Sequence, residues 1–92
     1  MPLLSPDDVQ QRCAALPGWS VDGNAICRTF KRATFHHAIG FVVQIAMLAE
    51  VADHHPDIDI RYNTVHIVLS THSAGGVTEK DFALAAQIDA LV

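Results

Sequence analysis

The apolar residues of this chain recur with two periods that alternate along its length. Phe41, Ile45, Leu48 and Ala52 stand at i, i+4, i+7 and i+11, one face of a helix. Val43, Met47, Glu50 and His54 form a neighbouring stripe at the same spacings. The pattern predicts a helix from Phe35 to about His54, roughly 20 residues and roughly 30 Å long. Thr34 is placed to cap its start. Pro56 ends it, because the residue before a proline avoids helical angles. A helix apolar over more than one face is either sandwiched between the sheet and another subunit or exposes an oily patch, and the first is expected.

On either side of this helix the period is two. Ile26, Arg28 and Phe30 alternate with Cys27, Thr29 and Lys31, and Asp22-Gly23 signals a hairpin joining them to a strand that begins near Trp19. Ile58, Ile60 and Tyr62 alternate with Asp59 and Arg61. After a break at Asn63, Val65, Ile67 and Leu69 alternate with His66, Val68 and Ser70. Two shorter helices close the ends. Ser5, Pro6 and Asp8 make a helix start, with Leu4 and Val9 in staple positions, and this helix runs to about Ala15. Thr78-Glu79-Lys80-Asp81 makes a capping box for the last helix, with Val77 and Phe82 as its staple and Leu84, Ile88 and Leu91 as its buried face. The order αββαββα predicts a single α+β domain over residues 1–92: a four-stranded antiparallel sheet with three helices on one face.

Composition narrows the function more than the fold. Ninety-two residues bury one modest core, so self-association would add stability. A net charge of -4 with six Lys and Arg argues against a nucleic-acid partner, since few cations are present to neutralise phosphates. Cys13 and Cys27 lie far apart without a CxxC, which points to a reducing, cytoplasmic setting. The N-terminus has no basic segment followed by an apolar run, so no signal peptide is expected. The stretch near Ile39–Ala49 is too short for a membrane span and contains Gln44, so no membrane is expected either.

The chemistry gathers in Glu50-Val-Ala-Asp53-His54-His55-Pro56-Asp57. Adjacent residues at a helix end diverge by about 100°, so His54 and His55 need not share a task. Glu50 lies four residues before His54 and is expected to share its face. A carboxylate there fixes an imidazole tautomer and raises its basicity, which serves a general acid or base; it also describes an ordinary surface pair, and spacing alone does not choose. His72 follows the last strand, before a Gly-Gly loop; alone it reads as a surface residue. His66 shares its strand parity but stands roughly 20 Å away. His36 and His37 lie in the first turn of the long helix and read as structural. Asp81 reads first as the capping-box acid, and Lys80 as solvated. A zinc site built from His54, His55, His72 and Glu50 is disfavoured, since no HxH or HExxH spacing is present.

Taken together, these residues resemble the pterin-4a-carbinolamine dehydratase family. The resemblance is carried by Glu50-x3-His54-His55-Pro56, Tyr62-Asn63-x-Val65-x-Ile67-x-Leu69-x-Thr71-His72 and Gly76-Val77-Thr78-x2-Asp81. Leu16-Pro17-Gly18-Trp19 and Ile26-x-Arg28-x-Phe30 extend it over nearly the whole chain. It implies removal of water from a 4a-hydroxytetrahydropterin to give the quinonoid dihydropterin, recycling the pterin of aromatic amino-acid hydroxylation. It implies no metal or bound cofactor, and a homodimer or homotetramer that associates through sheet edges and the long helix. It implies His54, His55 and His72 as catalytic, with His54 and His72 the acid–base pair and His55 orienting the pterin. Glu50 and Asp53 would orient imidazoles, Pro56 would present the histidines, and Asp81 would lie at the pocket edge. The alternative it implies is non-enzymatic: in animals this family also serves as a dimerisation cofactor for a homeodomain transcription factor. A different small-molecule binder on the same scaffold is a third reading. One departure stands out: family members often carry an aromatic two residues after the proline, where this chain has Ile58.

Overall fold

The computed structural model describes residues 2–92. Its elements follow the expected order: α1 (Pro6–Ala14), β1 (Ser20–Asp22), β2 (Ala25–Lys31), α2 (Phe35–Ala52), β3 (Asp57–Arg61), β4 (Thr64–Leu69), a short 3₁₀ turn (His72–Ala74) and α3 (Glu79–Asp89). The four strands form one antiparallel sheet in the order β1-β2-β4-β3. Both hairpins close through two residues, Gly23-Asn24 and Tyr62-Asn63. Gly23 and Tyr62, the first of each pair, have φ of 60° and 53°, as a tight hairpin turn of the primed kind requires.

Alternation sorts the strand residues between two faces. Ile26, Phe30, Val65, Ile67 and Leu69 are buried and share one core with Val9 and Cys13 of α1, Phe41 and Ile45 of α2, and Phe82, Leu84 and Ile88 of α3. Each large apolar side chain taken out of water contributes about 1.5–3 kcal/mol. The opposite face, with Cys27, Thr29, His66 and Val68, stays partly open, and Thr29 Oγ1 and His66 Nδ1 hydrogen-bond across it at 2.8 Å.

The helix ends are fixed as the cap residues predict. Ser5 Oγ accepts from Asp8 N at 3.1 Å, Thr34 Oγ1 from His37 N at 3.2 Å, and Thr78 Oγ1 from Lys80 N at 3.3 Å. Asp89 ties α3 to the first hairpin: it accepts from Trp19 Nε1 at 3.0 Å and pairs with Arg28 Nη1 at 2.8 Å.

α2 departs from expectation in two ways. It stops at Ala52, short of His54, because Asp53 turns left-handed with φ 49° and caps it. Proline is therefore not the terminator; the chain has left the helix before reaching Pro56. Its burial also differs. Ala38, Phe41, Ile45 and Ala49 face the core, while Phe35, Val43, Met47 and Val51 stand out into solvent as a continuous stripe. At 18 residues and a mean hydropathy of 1.5, α2 is long and apolar enough to cross a membrane by those two measures. The eleven-residue stretch considered from sequence understated it.

Candidate active site

The left-handed turn at Asp53 decides where the two histidines go. It swings His54 inward, where it is 8% exposed, and leaves His55 at the surface. The expected Glu50–His54 pairing is consequently absent. Glu50 Oε1 instead meets His55 Nε2 at 2.6 Å, with both side chains more than half exposed. A helix continuing to His54 would have kept residues 50 and 54 on one face; ending it two residues sooner moves the pairing on by one.

The partner of His54 comes from the far end of the chain. His54 Nε2 lies 2.6 Å from Asp81 Oδ1. Asp81 has no exposed surface. Its second oxygen, Oδ2, accepts from Thr78 N and from Thr71 Oγ1, both at 2.9 Å. Asp81 therefore closes the capping box of α3 and holds an imidazole at the same time, one oxygen for each. It sits behind the site rather than at its edge.

Between these parts lies an open cavity of about 400 Å³, lined by His54, His55, His72, Asp53, Pro56 and Lys80 among others. That volume falls in the range of small-molecule sites. His72 opens the 3₁₀ turn and is exposed, with no side-chain hydrogen bond among the described residues. The expected histidines thus share one cavity, from two segments 17 residues apart in sequence, counted from His55 to His72. Asp53 lines the cavity too, but no hydrogen bond joins its carboxylate to an imidazole among the described residues; its observed work is the left-handed backbone. Ile58 packs against the hydrophobic core rather than lining the cavity, so the aromatic-to-isoleucine departure does not touch this pocket.

Four lining residues were given no site role from the sequence: Asp57, Ser70, Thr71 and Ser73. Thr71 had a signal. It continues the inward phase of Val65, Ile67 and Leu69, which aims its side chain at the core, and it is 5% exposed. Lys80, expected in solvent, is indeed exposed but at the cavity rim.

The cavity has the parts for proton transfer. One imidazole is buried and braced by a carboxylate, one is free on a surface turn, and one is held at the rim by an exposed carboxylate. Imidazole, with an ordinary pKa of about 6.5, can donate or accept near neutral pH.

The chain is similar to known proteins over nearly its whole length. Residues 2–91 match the family model for pterin 4 alpha carbinolamine dehydratase. The chain is 56% identical over 92 residues to a Chloroflexus aurantiacus protein named "Putative pterin-4-alpha-carbinolamine dehydratase", covering 100% of this chain and 99% of that one. An Acidobacterium capsulatum protein of the same name is 48% identical over the full length of both. The crystal structure of a transcriptional coactivator/pterin dehydratase from Brucella melitensis superposes with a TM-score of 0.90 at 43% identity, covering 96% of each chain. A pterin dehydratase-like protein identified as a RuBisCO assembly factor in the alpha-carboxysome has a TM-score of 0.65 at 26% identity, over 79% of this chain and 84% of that one.

Proposed function

Because the chain belongs to the pterin 4 alpha carbinolamine dehydratase family, we propose that it dehydrates a 4a-hydroxytetrahydropterin by histidine acid–base catalysis, in the recycling of tetrahydropterin. The observation that carries this reading is the shared cavity of His54 and His72, with the His54 ring braced by buried Asp81.

The reaction asks for two proton movements. The 4a-hydroxyl is a poor leaving group until protonated, and the neighbouring ring nitrogen must release its proton as the new double bond forms. A positioned acid and a positioned base each contribute roughly 10²–10⁴-fold. In this reading His54 and His72 are the pair, and His55, steadied by Glu50, orients the pterin. The braced ring of His54 is suited to a fixed direction of transfer. His72, on a short turn, can adjust to the substrate. The two free thiols, Cys13 and Cys27, fit a reducing, cytoplasmic setting, and the proposed reaction would follow that of an aromatic amino-acid hydroxylase.

A second surface supports an accompanying role. Phe35, Val43, Met47 and Val51 of α2 are 48–91% exposed, and contiguous exposed apolar side chains of this kind mark interaction surfaces. The stripe fits a homodimer or homotetramer, and it also fits the interaction-protein alternative.

The test is His72→Ala, which touches no core contact. It should slow dehydration of chemically generated carbinolamine by roughly 10²-fold or more with an unchanged melting curve. A rate equal to wild type would remove His72 from the mechanism. Met47→Lys separates the surface from the site: loss of the oligomer with dehydration retained supports the enzyme reading, whereas an inactive cavity in an intact oligomer favours the interaction protein.

A further inference from the structure

We infer that Thr71 is a positioning residue of this site: its side chain fixes which nitrogen of His54 carries the proton, and its backbone fixes the turn that carries His72. The inference rests on the cavity being an acid–base site.

A threonine hydroxyl has one proton to give. Thr71 gives its proton to Asp81 Oδ2 at 2.9 Å. The contact between Thr71 Oγ1 and Thr78 Oγ1, at 2.8 Å, must then run the other way, with Thr78 donating. Thr78 can do so, since its oxygen otherwise only accepts, from the backbone N–H groups of Lys80 and of Asp81 in the capping box. The result is a directed chain, Thr78 to Thr71 to Asp81. Oδ2 also accepts from Thr78 N, so two donors occupy that oxygen and leave no room for a carboxyl proton on it. As a carboxylate Asp81 is acceptor-only: two donors hold Oδ2 and fix the plane of the group, and Oδ1 is left to accept from His54. The hydrogen between Asp81 Oδ1 and His54 Nε2 belongs to His54. In its neutral form His54 is the Nε2–H tautomer, and Nδ1 is the nitrogen with a lone pair to offer.

The backbone of Thr71 does a second job. Thr71 N donates to Gly76 O at 2.8 Å, and Thr71 O accepts from Ala74 N and Gly75 N, both at 3.0 Å. These bonds close the turn that begins with His72. Thr71 occupies the N-cap position of that turn, where a threonine commonly caps with its own hydroxyl, yet here the hydroxyl makes no cap bond. It is committed to Asp81 instead. One buried residue therefore ties the His54 half of the cavity to the His72 half.

The test uses the full chain labelled with ¹⁵N-histidine. The wild type should show His54 with its hydrogen on Nε2 and a pyridine-like Nδ1. Thr71→Val, close in shape, removes one of the two donors that fix the Asp81 carboxylate plane; the freed carboxylate should leave the ring exchanging between tautomers and lower kcat about 10–100-fold, the range seen for partners behind metal-bound imidazoles, with KM little changed. Thr71→Ser restores the hydroxyl and should restore both the spectrum and kcat. A wild-type His54 protonated on Nδ1, or a Thr71→Val protein with the wild-type ring spectrum, overturns the inference. Both readings of the ring hold even if no dehydration is found, so failure of the enzyme assay and failure of this inference remain distinct. Should Thr71→Val not fold, the smaller Thr71→Ala carries the same test, and a wild-type ring spectrum in it overturns the inference.

Discussion

Replacing Asp81 by asparagine should separate the two tasks this residue performs. The carboxylate accepts from His54 Nε2 at 2.6 Å, Thr71 Oγ1 at 2.9 Å and Thr78 N at 2.9 Å, and none of its surface is exposed. An amide has one acceptor oxygen and one NH₂ donor. Thr78 N can only donate, so the amide oxygen must take the place of Oδ2 and keep the cap of α3. The NH₂ then points at His54 Nε2, which must accept. The imidazole proton moves to Nδ1, and the neutral ring can no longer take a proton there. Dehydration should fall roughly 10²–10⁴-fold, or about 3–5 kcal/mol in the barrier. Stability changes far less. A charge-assisted hydrogen bond of about 1.5–3 kcal/mol gives way to a neutral one of about 0.5–1.5 kcal/mol. A net loss of about 1–2 kcal/mol lowers Tm by roughly 4–16 °C for a domain of this size.

Asp81→Ala is the contrasting variant. It strands Thr78 N and His54 Nε2 without acceptors, at about 1–3 kcal/mol each, in a domain whose total stability is of order 5–15 kcal/mol. It should damage fold and activity together. The assay is stopped-flow dehydration at saturating substrate, with a thermal melt on the same samples. An Asp81→Asn protein that folds and dehydrates at the wild-type rate would refute the reasoning.

Three further outcomes are expected. Asp53→Gly should leave stability and activity near wild type, whereas Asp53→Val, forced to φ 49°, should lose about 1–2 kcal/mol and misdirect His54, both read from melts and rates. Cys27, half-buried on the open sheet face, should alkylate well before buried Cys13, whose thiol burial and, to a lesser degree, nearby Cys27 push above its ordinary value of 9.0. Because the folded state keeps that proton longer than the unfolded chain, stability should be full below about pH 9 and decline as pH rises through the folded value; Cys13→Ala should flatten the decline in pH-dependent melts.

The elements of the fold were legible because local signals agreed with one another. Alternation at Val65, Ile67 and Leu69, the caps at Ser5, Thr34 and Thr78, and the turn at Asp22-Gly23 each act over a few residues. What the chain did not disclose depends on a single backbone angle. Asp53 is one of the few residue types that tolerate the left-handed region, but nothing nearby marked it as the point where α2 would end. That angle turns His54 away from Glu50 and toward Asp81, 27 residues further on. Asp81 was found by its capping role, and its second role required knowing that the start of α3 lies beside the end of α2. Thr71 was in phase with the buried strand positions, yet its partner could not be named until those ends were brought together.

Dehydratase activity is tested most directly by stopped-flow with the purified wild-type chain. A 4a-carbinolamine generated in the mixing chamber dehydrates spontaneously, and that rate is the background. The predicted result is a rate that rises linearly with protein concentration, with quinonoid dihydropterin as the product. A rate equal to the spontaneous one at every protein concentration would contradict it.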